Sequence, residues 1–295
     1  MGYRARIAEQ LPRPVRRGVE EVRGWWRLLR VQRPVTRALG PRYRRSRDRI
    51  ELDITWACNL RCFNCNRSCE QAPTGEGMSL AEVEAFVAES VAANKHWARI
   101  RVLGGEPTLH PDFAAILDVL RAWRAEHAPD AVIEVVSNGH GDKVLAALAR
   151  IPSDIRVENT AKLGPDQAFQ TFNVAPIDLP AYRHADYGNG CAVTSSCGIG
   201  RTAGGYYPCA VAGGIDRILG LGMGRPTLPD DDDDMTDQLD AFCRRCGSFK
   251  RLVEAPVTGP VQSETWTEAY ATYEARQRAD RAARRSGEGD DDVRA

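Results

Sequence analysis

"CNLRCFNC", residues 58–65, decides how the rest of this 295-residue chain is read. Its three cysteines, Cys58, Cys62 and Cys65, are separated by three and then two residues. Thiolates so spaced on one loop face a single metal centre. Zinc prefers paired C-x2-C units and a closed set of four ligands. A three-plus-two spacing suits three irons of a four-iron cluster, leaving the fourth iron open to a substrate or cofactor. A zinc knuckle completed by Cys69 is the competing reading of the same thiols.

Outward from this loop the sequence alternates short β runs with amphipathic helices. "RIELDIT" (49–55) has the period-two pattern of a strand and runs straight into Cys58. Ser79 and Glu82 form a capping box for a helix through about Lys95, with Leu80, Val83, Phe86, Val87 and Val91 on its buried face. "ARIRVL" (98–103) is the next strand, and Pro111 opens a helix that buries Phe113, Ile116, Leu117, Leu120 and Trp123. "AVIEVVSNG" (131–139) and "SDIRVENT" (153–160) read as strands around a helix at 141–151, and "FQTFNVAPID" (169–178) as a fifth strand. Repeated βα units imply a parallel sheet with right-handed crossovers, open or curved into a barrel. After about residue 185 glycine becomes frequent and periodicity fades, which predicts a small appendage held by metal more than by a core. A helix is expected beyond Ser263, and the final residues are expected to be disordered.

Hydrophobic residues at 43% and charged residues at 27% are ordinary for a soluble globular chain. No stretch approaches the roughly 20 apolar residues of a membrane span. The start, "MGYRARIAEQLPRP", lacks the apolar centre of a secretion signal, so nine cysteines read as reduced thiols or metal ligands in the cytoplasm. Residues 1–49 hold fifteen arginines and no lysine against Glu9, Glu20, Glu21 and Asp48. Val19, Val22, Trp26 and Leu29 mark one helical face of this arm, expected to pack on the barrel while the arginines meet water. Contact with nucleic acid or a membrane surface is the alternative use of so basic an arm.

Three motifs in order carry a family resemblance. "CNLRCFNC", with Phe63 at the usual aromatic position, "GGEP" (104–107) and "VSNG" (136–139) each follow their own strand and resemble the signatures of the radical S-adenosylmethionine (SAM) enzymes. The resemblance covers residues 50–180 and implies an α/β fold, a partial (β/α)6 TIM-like barrel whose cluster loop follows the first strand. It implies a [4Fe-4S] cluster on Cys58, Cys62 and Cys65, whose open iron chelates the amino and carboxylate groups of SAM. Cleavage of SAM by one electron then gives a 5′-deoxyadenosyl radical that takes a hydrogen atom from substrate. Phe63, Gly104, Gly105, Glu106, Asn138, Asn159 and Thr160 are the cofactor-binding candidates. The glycines are expected to let backbone approach the methionyl group. Glu158 and Lys162 join Asn159 and Thr160 at the carboxyl end of the fourth strand, where barrel active sites collect. A turn or a solvated strand end is the plain alternative for each polar residue.

Cys191, Cys209, Cys243 and Cys246 resemble the ligand set of the twitch module, which implies a second [4Fe-4S] cluster, with "GYYPC" (205–209) as its hairpin strand. The expected organisation is a basic helical arm (1–49), the barrel (50–185), the twitch-like domain (186–262) and a C-terminal helix with tail (263–295). Cys197 is left over. As a hydrogen-atom donor it implies an epimerase; as a spare loop thiol it leaves a dehydrogenase that passes an electron to the second cluster. Both readings resemble the aminoglycoside and cyclitol branches, acting on a small polar molecule in natural-product assembly. A peptide-modifying member is less consistent with the short, arginine-rich segment before Cys58. A flavodoxin or ferredoxin is the expected electron donor; neither membrane nor nucleic acid is an expected partner.

Overall fold

The computed structural model describes residues 13–162, 172–250 and 259–291. Six strands make one sheet in the order β4-β3-β2-β1-β5-β6. β1 (Arg49–Thr55), β2 (Arg99–Gly104), β3 (Val132–Ser137) and β4 (Arg156–Asn159) are parallel neighbours. β5 (Ile199–Thr202) is parallel to β1 on its other side, and β6 (Gly205–Tyr207) returns antiparallel to β5. The α/β class and a mostly parallel sheet stand as expected.

Alternation in β1 sends Ile50, Leu52 and Ile54 into the core, where they meet Val83, Phe86, Trp97, Ile100, Ile116 and Leu120. Each such side chain contributes about 1.5–3 kcal/mol of transfer free energy. The arm begins with α1 (Arg13–Arg30) and α2 (Arg33–Leu39). α3 (Leu80–Ala92) starts at the expected capping box, Glu82 N donating to Ser79 Oγ at 3.3 Å and Ser79 N to Glu82 Oε2 at 2.8 Å. Its inner face ends on Ser90, not Val91, which is exposed; Ser90 Oγ accepts from Trp97 Nε1 at 3.0 Å. α4 (Phe113–His127) buries all five expected residues, and α5 (Asp142–Leu148) follows β3.

Two expectations fail here. Residues 172–178 form turns and a short 3-10 helix, not a fifth strand, and the remainder of that run lies outside the described residues. The sheet takes its fifth strand from Ile199–Thr202 instead. The arm's apolar face is also not packed on the barrel: Val22, Trp26 and Leu29 are all exposed.

The C-terminal segments have a core of their own. α6 (Ala192–Ser196), α7 (Ala210–Leu219), α8 (Thr236–Cys243) and α9 (Glu264–Asp291) surround Phe172, Tyr207, Val211, Ile215, Ile218, Phe242, Trp266, Tyr270 and Tyr273. The appendage therefore relies on apolar packing as well as on its thiols. α9 continues to Asp291, and the last four residues of the expected tail lie outside the described residues. α7 lies against β5 because Gly200 has no side chain: a Cβ there would stand 2.2 Å from Ala210 N.

Candidate active site

The cluster loop leaves β1 at Thr55 and is clamped by the end of β2. Gly105 N donates to Thr55 O and Glu106 N to Ala57 O, both at 2.8 Å. A Cβ on Gly104 would lie 2.2 Å from Thr55 O, and one on Gly105 2.3 Å from Ala57 O. The glycines thus admit the cluster loop's own backbone. Gly104 also has φ +143°, a region side chains rarely adopt.

Glu106 is fully buried and ties three motifs together. Its Oε1 accepts from Thr108 Oγ1 at 2.7 Å and Ser137 Oγ at 2.9 Å, and its Oε2 from Asn138 N at 2.8 Å. Asn138 Nδ2 donates to Asn59 Oδ1 at 2.8 Å and lies 3.9 Å from Cys58 Sγ. So "VSNG" reaches the cluster loop directly. Thr160 N and Oγ1 both donate to Ser137 O at 2.9 Å, while Asn159 Oδ1 accepts from Ala161 N at 2.8 Å. These two side chains brace the ends of β3 and β4. Phe63 is half-buried in the loop beside Asn64, which has φ +54° and accepts from Val261 N at 2.8 Å.

Cys58, Cys62 and Cys65 lie close enough to influence one another's ionisation. Burial, with its two neighbours adding, pushes Cys58 up to about 11. The Cys69 thiol donates to Cys65, which lowers Cys65 and raises Cys69. A loop with two half-exposed thiols, a backbone donor at hand and one sulfur, that of Cys65, favoured as thiolate fits an iron–sulfur cluster at Cys58, Cys62 and Cys65. Among the described residues no three His, Cys, Asp or Glu side chains are gathered closely enough for a metal ion.

A second set converges around one small cavity. Cys191, Cys209, Cys243 and Cys246 line it together with Val193, Phe242 and Ser248. All four thiols are buried, and burial raises each of them, most strongly Cys209 and Cys243. Four buried thiols around one apolar hollow are the donor set that a fully ligated cluster would need, and binding one would displace their protons.

Across one face of the sheet runs a charged ladder that sequence reasoning missed. In-register pairing sets Glu51, Arg101, Glu134 and Arg156 side by side on one face of the sheet. Arg101 donates to Glu51 at 2.7 Å, Glu134 at 2.8 Å and Glu158 at 2.5 Å. Arg156 meets Glu134 at 3.1 Å, and Arg67, from the cluster loop, meets Asp53 at 3.2 Å and Glu51 at 3.3 Å. Asp53 is raised because its burial outweighs the attraction of Arg67. The signal was present in the alternating "IELDI", but its cationic partners lie far off in sequence.

Cys197 stands at the amino end of this face, the end of β1 opposite the cluster loop. Gly198 packs on Arg49 O, and the half-exposed thiol pairs with Glu51. Burial and then Glu51 push it up to about 11.

Against this geometry, residues 53–162 match the family model described as the Radical SAM superfamily, and they form a radical SAM domain. Within the chain's similarity to curated proteins, 116 residues are 36% identical to GTP 3′,8-cyclase of Chlorobaculum tepidum, covering 39% of this chain and 33% of that one. The corresponding enzyme of Haemophilus ducreyi is 31% identical over 99 residues, 34% of this chain and 28% of that one. The chain thus spans about a third of the length of these relatives. Among solved structures, BtrN in complex with AdoMet and 2-DOIA aligns with TM-score 0.41 at 16% identity, over 73% of this chain and 95% of that one.

Proposed function

We propose that the chain is a two-cluster radical SAM enzyme that draws a hydrogen atom from a carbinol carbon of an amino sugar or aminocyclitol. The observation that carries this reading is the charged ladder across the sheet. Four carboxylates (Glu51, Asp53, Glu134, Glu158) face three guanidiniums (Arg67, Arg101, Arg156), and the excess negative charge favours a substrate ammonium. Glu158, half-exposed at the end of β4, is the member best placed to meet it. When bound, SAM and the clusters supply the one-electron chemistry. The chain's own residues position the cofactor loop through Gly105, Glu106 and Asn138 and hold the polar substrate by charge.

Inversion of the carbon with Cys197 returning the hydrogen is one reading of the outcome; it requires the substrate to span from the cluster loop toward the opposite end of β1, where Cys197 lies. Cys197 is half-buried beside Glu51, which favours the protonated thiol that a hydrogen-atom donor needs. Oxidation to a ketone is the second reading, favoured by the four-thiol cavity that would hold an electron acceptor. Turnover of candidate aminoglycosides in heavy water separates them. Inversion through Cys197 puts one deuterium at the changed carbon, and Cys197→Ala stops it while 5′-deoxyadenosine is still made. A ketone from the wild-type enzyme with no deuterium incorporated refutes inversion. Absence of 5′-deoxyadenosine with every such substrate refutes the substrate class.

A further inference from the structure

The arm carries an apolar stripe that the fold leaves uncovered. At about 100° per residue, Val15, Val22, Trp26 and Leu29 fall within roughly 60° of one another on α1. Their exposures are 48%, 69%, 50% and 49%. The helix docks by its far side and its last turn instead. Gly24, Arg30 and Val31 are buried, Val31 joins Tyr182 and Tyr187, and Gln32 Nε2 donates to Ala181 O at 3.1 Å. Gln32 bridges Ala185, and Arg30 Nη2 donates to Gly40 O at 3.1 Å. That anchor fixes the stripe outward. Exposed arginines border it: Arg23 on α1, then Arg33 and Arg37 on α2, where Leu39 is a further 62% exposed. Residues 1–49 hold fifteen arginines against four acids; of the arginines, Arg30 and Arg45 are buried and Arg47 pairs with Asp234.

We propose that α1 is a membrane-surface anchor that lies in the headgroup layer of an anionic bilayer. A tryptophan-bearing apolar stripe with flanking cations and low overall hydrophobicity is the composition that interfacial helices use. Anionic headgroups match the arm's charge, each arginine near such a surface adding favourable energy that salt screens. Nucleic acid would match the charge but would leave Val15, Val22 and Leu29 in water. No helix among the described residues is long and apolar enough to cross a membrane, so attachment is peripheral. This proposal is independent of the reaction.

The test is sedimentation of the full chain with vesicles of equal phosphatidylcholine and phosphatidylglycerol, and with phosphatidylcholine alone. Binding is expected to the anionic vesicles only, with a blue shift of tryptophan emission. Trp26→Glu together with Val22→Glu should lower partitioning at least tenfold. Leu145→Glu, a comparably exposed site on α5, should change it less than twofold. Failure of the wild-type chain to bind anionic vesicles at low salt overturns the proposal. So does an equal loss in the Leu145→Glu control. Tight binding to a DNA duplex without vesicle binding assigns the arm to nucleic acid, and a dimer abolished by Trp26→Glu assigns the stripe to a second copy; either result overturns it too.

Discussion

Replacing Arg67 by methionine keeps most of the side-chain volume and deletes one buried cation. Arg67 is the cation paired with Asp53, whose side chain is fully buried, whereas Glu51 retains Arg101. The cost therefore falls on Asp53. Removing one member of a buried pair costs about 3–5 kcal/mol because the other charge is left uncompensated. For a chain of this size that corresponds to a fall of roughly 6–20 °C in melting temperature. The pH dependence has a definite sign. Burial already raises Asp53 above its usual value of 3.8, and loss of Arg67 raises it further. The native variant then binds a proton that its unfolded state releases, so its stability declines as pH rises through the carboxylate range. The deficit should be smaller at pH 5 than at pH 7.5, and adding Asp53→Asn should recover most of it. Thermal melts of the cluster-loaded proteins, followed by circular dichroism at one scan rate, provide the assay. A variant melting within 2 °C of wild type, or a deficit that grows on acidification, would refute the reasoning.

The clamp on the cluster loop predicts that Gly105→Ala, whose Cβ would stand 2.3 Å from Ala57 O, loses iron from the first site alone, while Gly75→Ala, with open space around it, does not. Iron analysis after reconstitution reads both; full loading of Gly105→Ala would count against the clamp. Cys197, pushed up to about 11 from 9.0, should react with iodoacetamide at pH 8.5 roughly tenfold more slowly than an unperturbed thiol. Peptide mapping of the alkylated protein gives the rate, and ordinary reactivity would mean that Cys197 is not held beside Glu51.

Where a pattern was local, the sequence was legible. The capping box at Ser79, the buried faces of α3 and α4, and the order of the first four strands follow from short-range periodicity and chemistry. The cluster loop was visible because its ligands are close in sequence. The fifth strand was not, since "IGRT" is too short for periodicity and is defined by parallel pairing to β1, about 150 positions away. The arm's stripe is legible as a face but its direction is not, because amphipathicity does not say what covers the apolar side. Glu51 and Asp53 look like the wet side of a strand until Arg67 and Arg101 are brought over them. Gathering of Cys191, Cys209, Cys243 and Cys246 was anticipated from the family resemblance; the packing of α7 and α8 that accomplishes it was not.

The central claim is that two separate thiol sets each hold a four-iron cluster and that only the first acts on SAM. Iron and 5′-deoxyadenosine, measured on the same anaerobically reconstituted samples with a strong reductant, test it most directly. Wild type should carry about eight irons per chain and release 5′-deoxyadenosine. The Cys58→Ala, Cys62→Ala, Cys65→Ala triple variant should carry about four and release none. Full iron in that variant, or cleavage of SAM at the wild-type rate, would contradict the account.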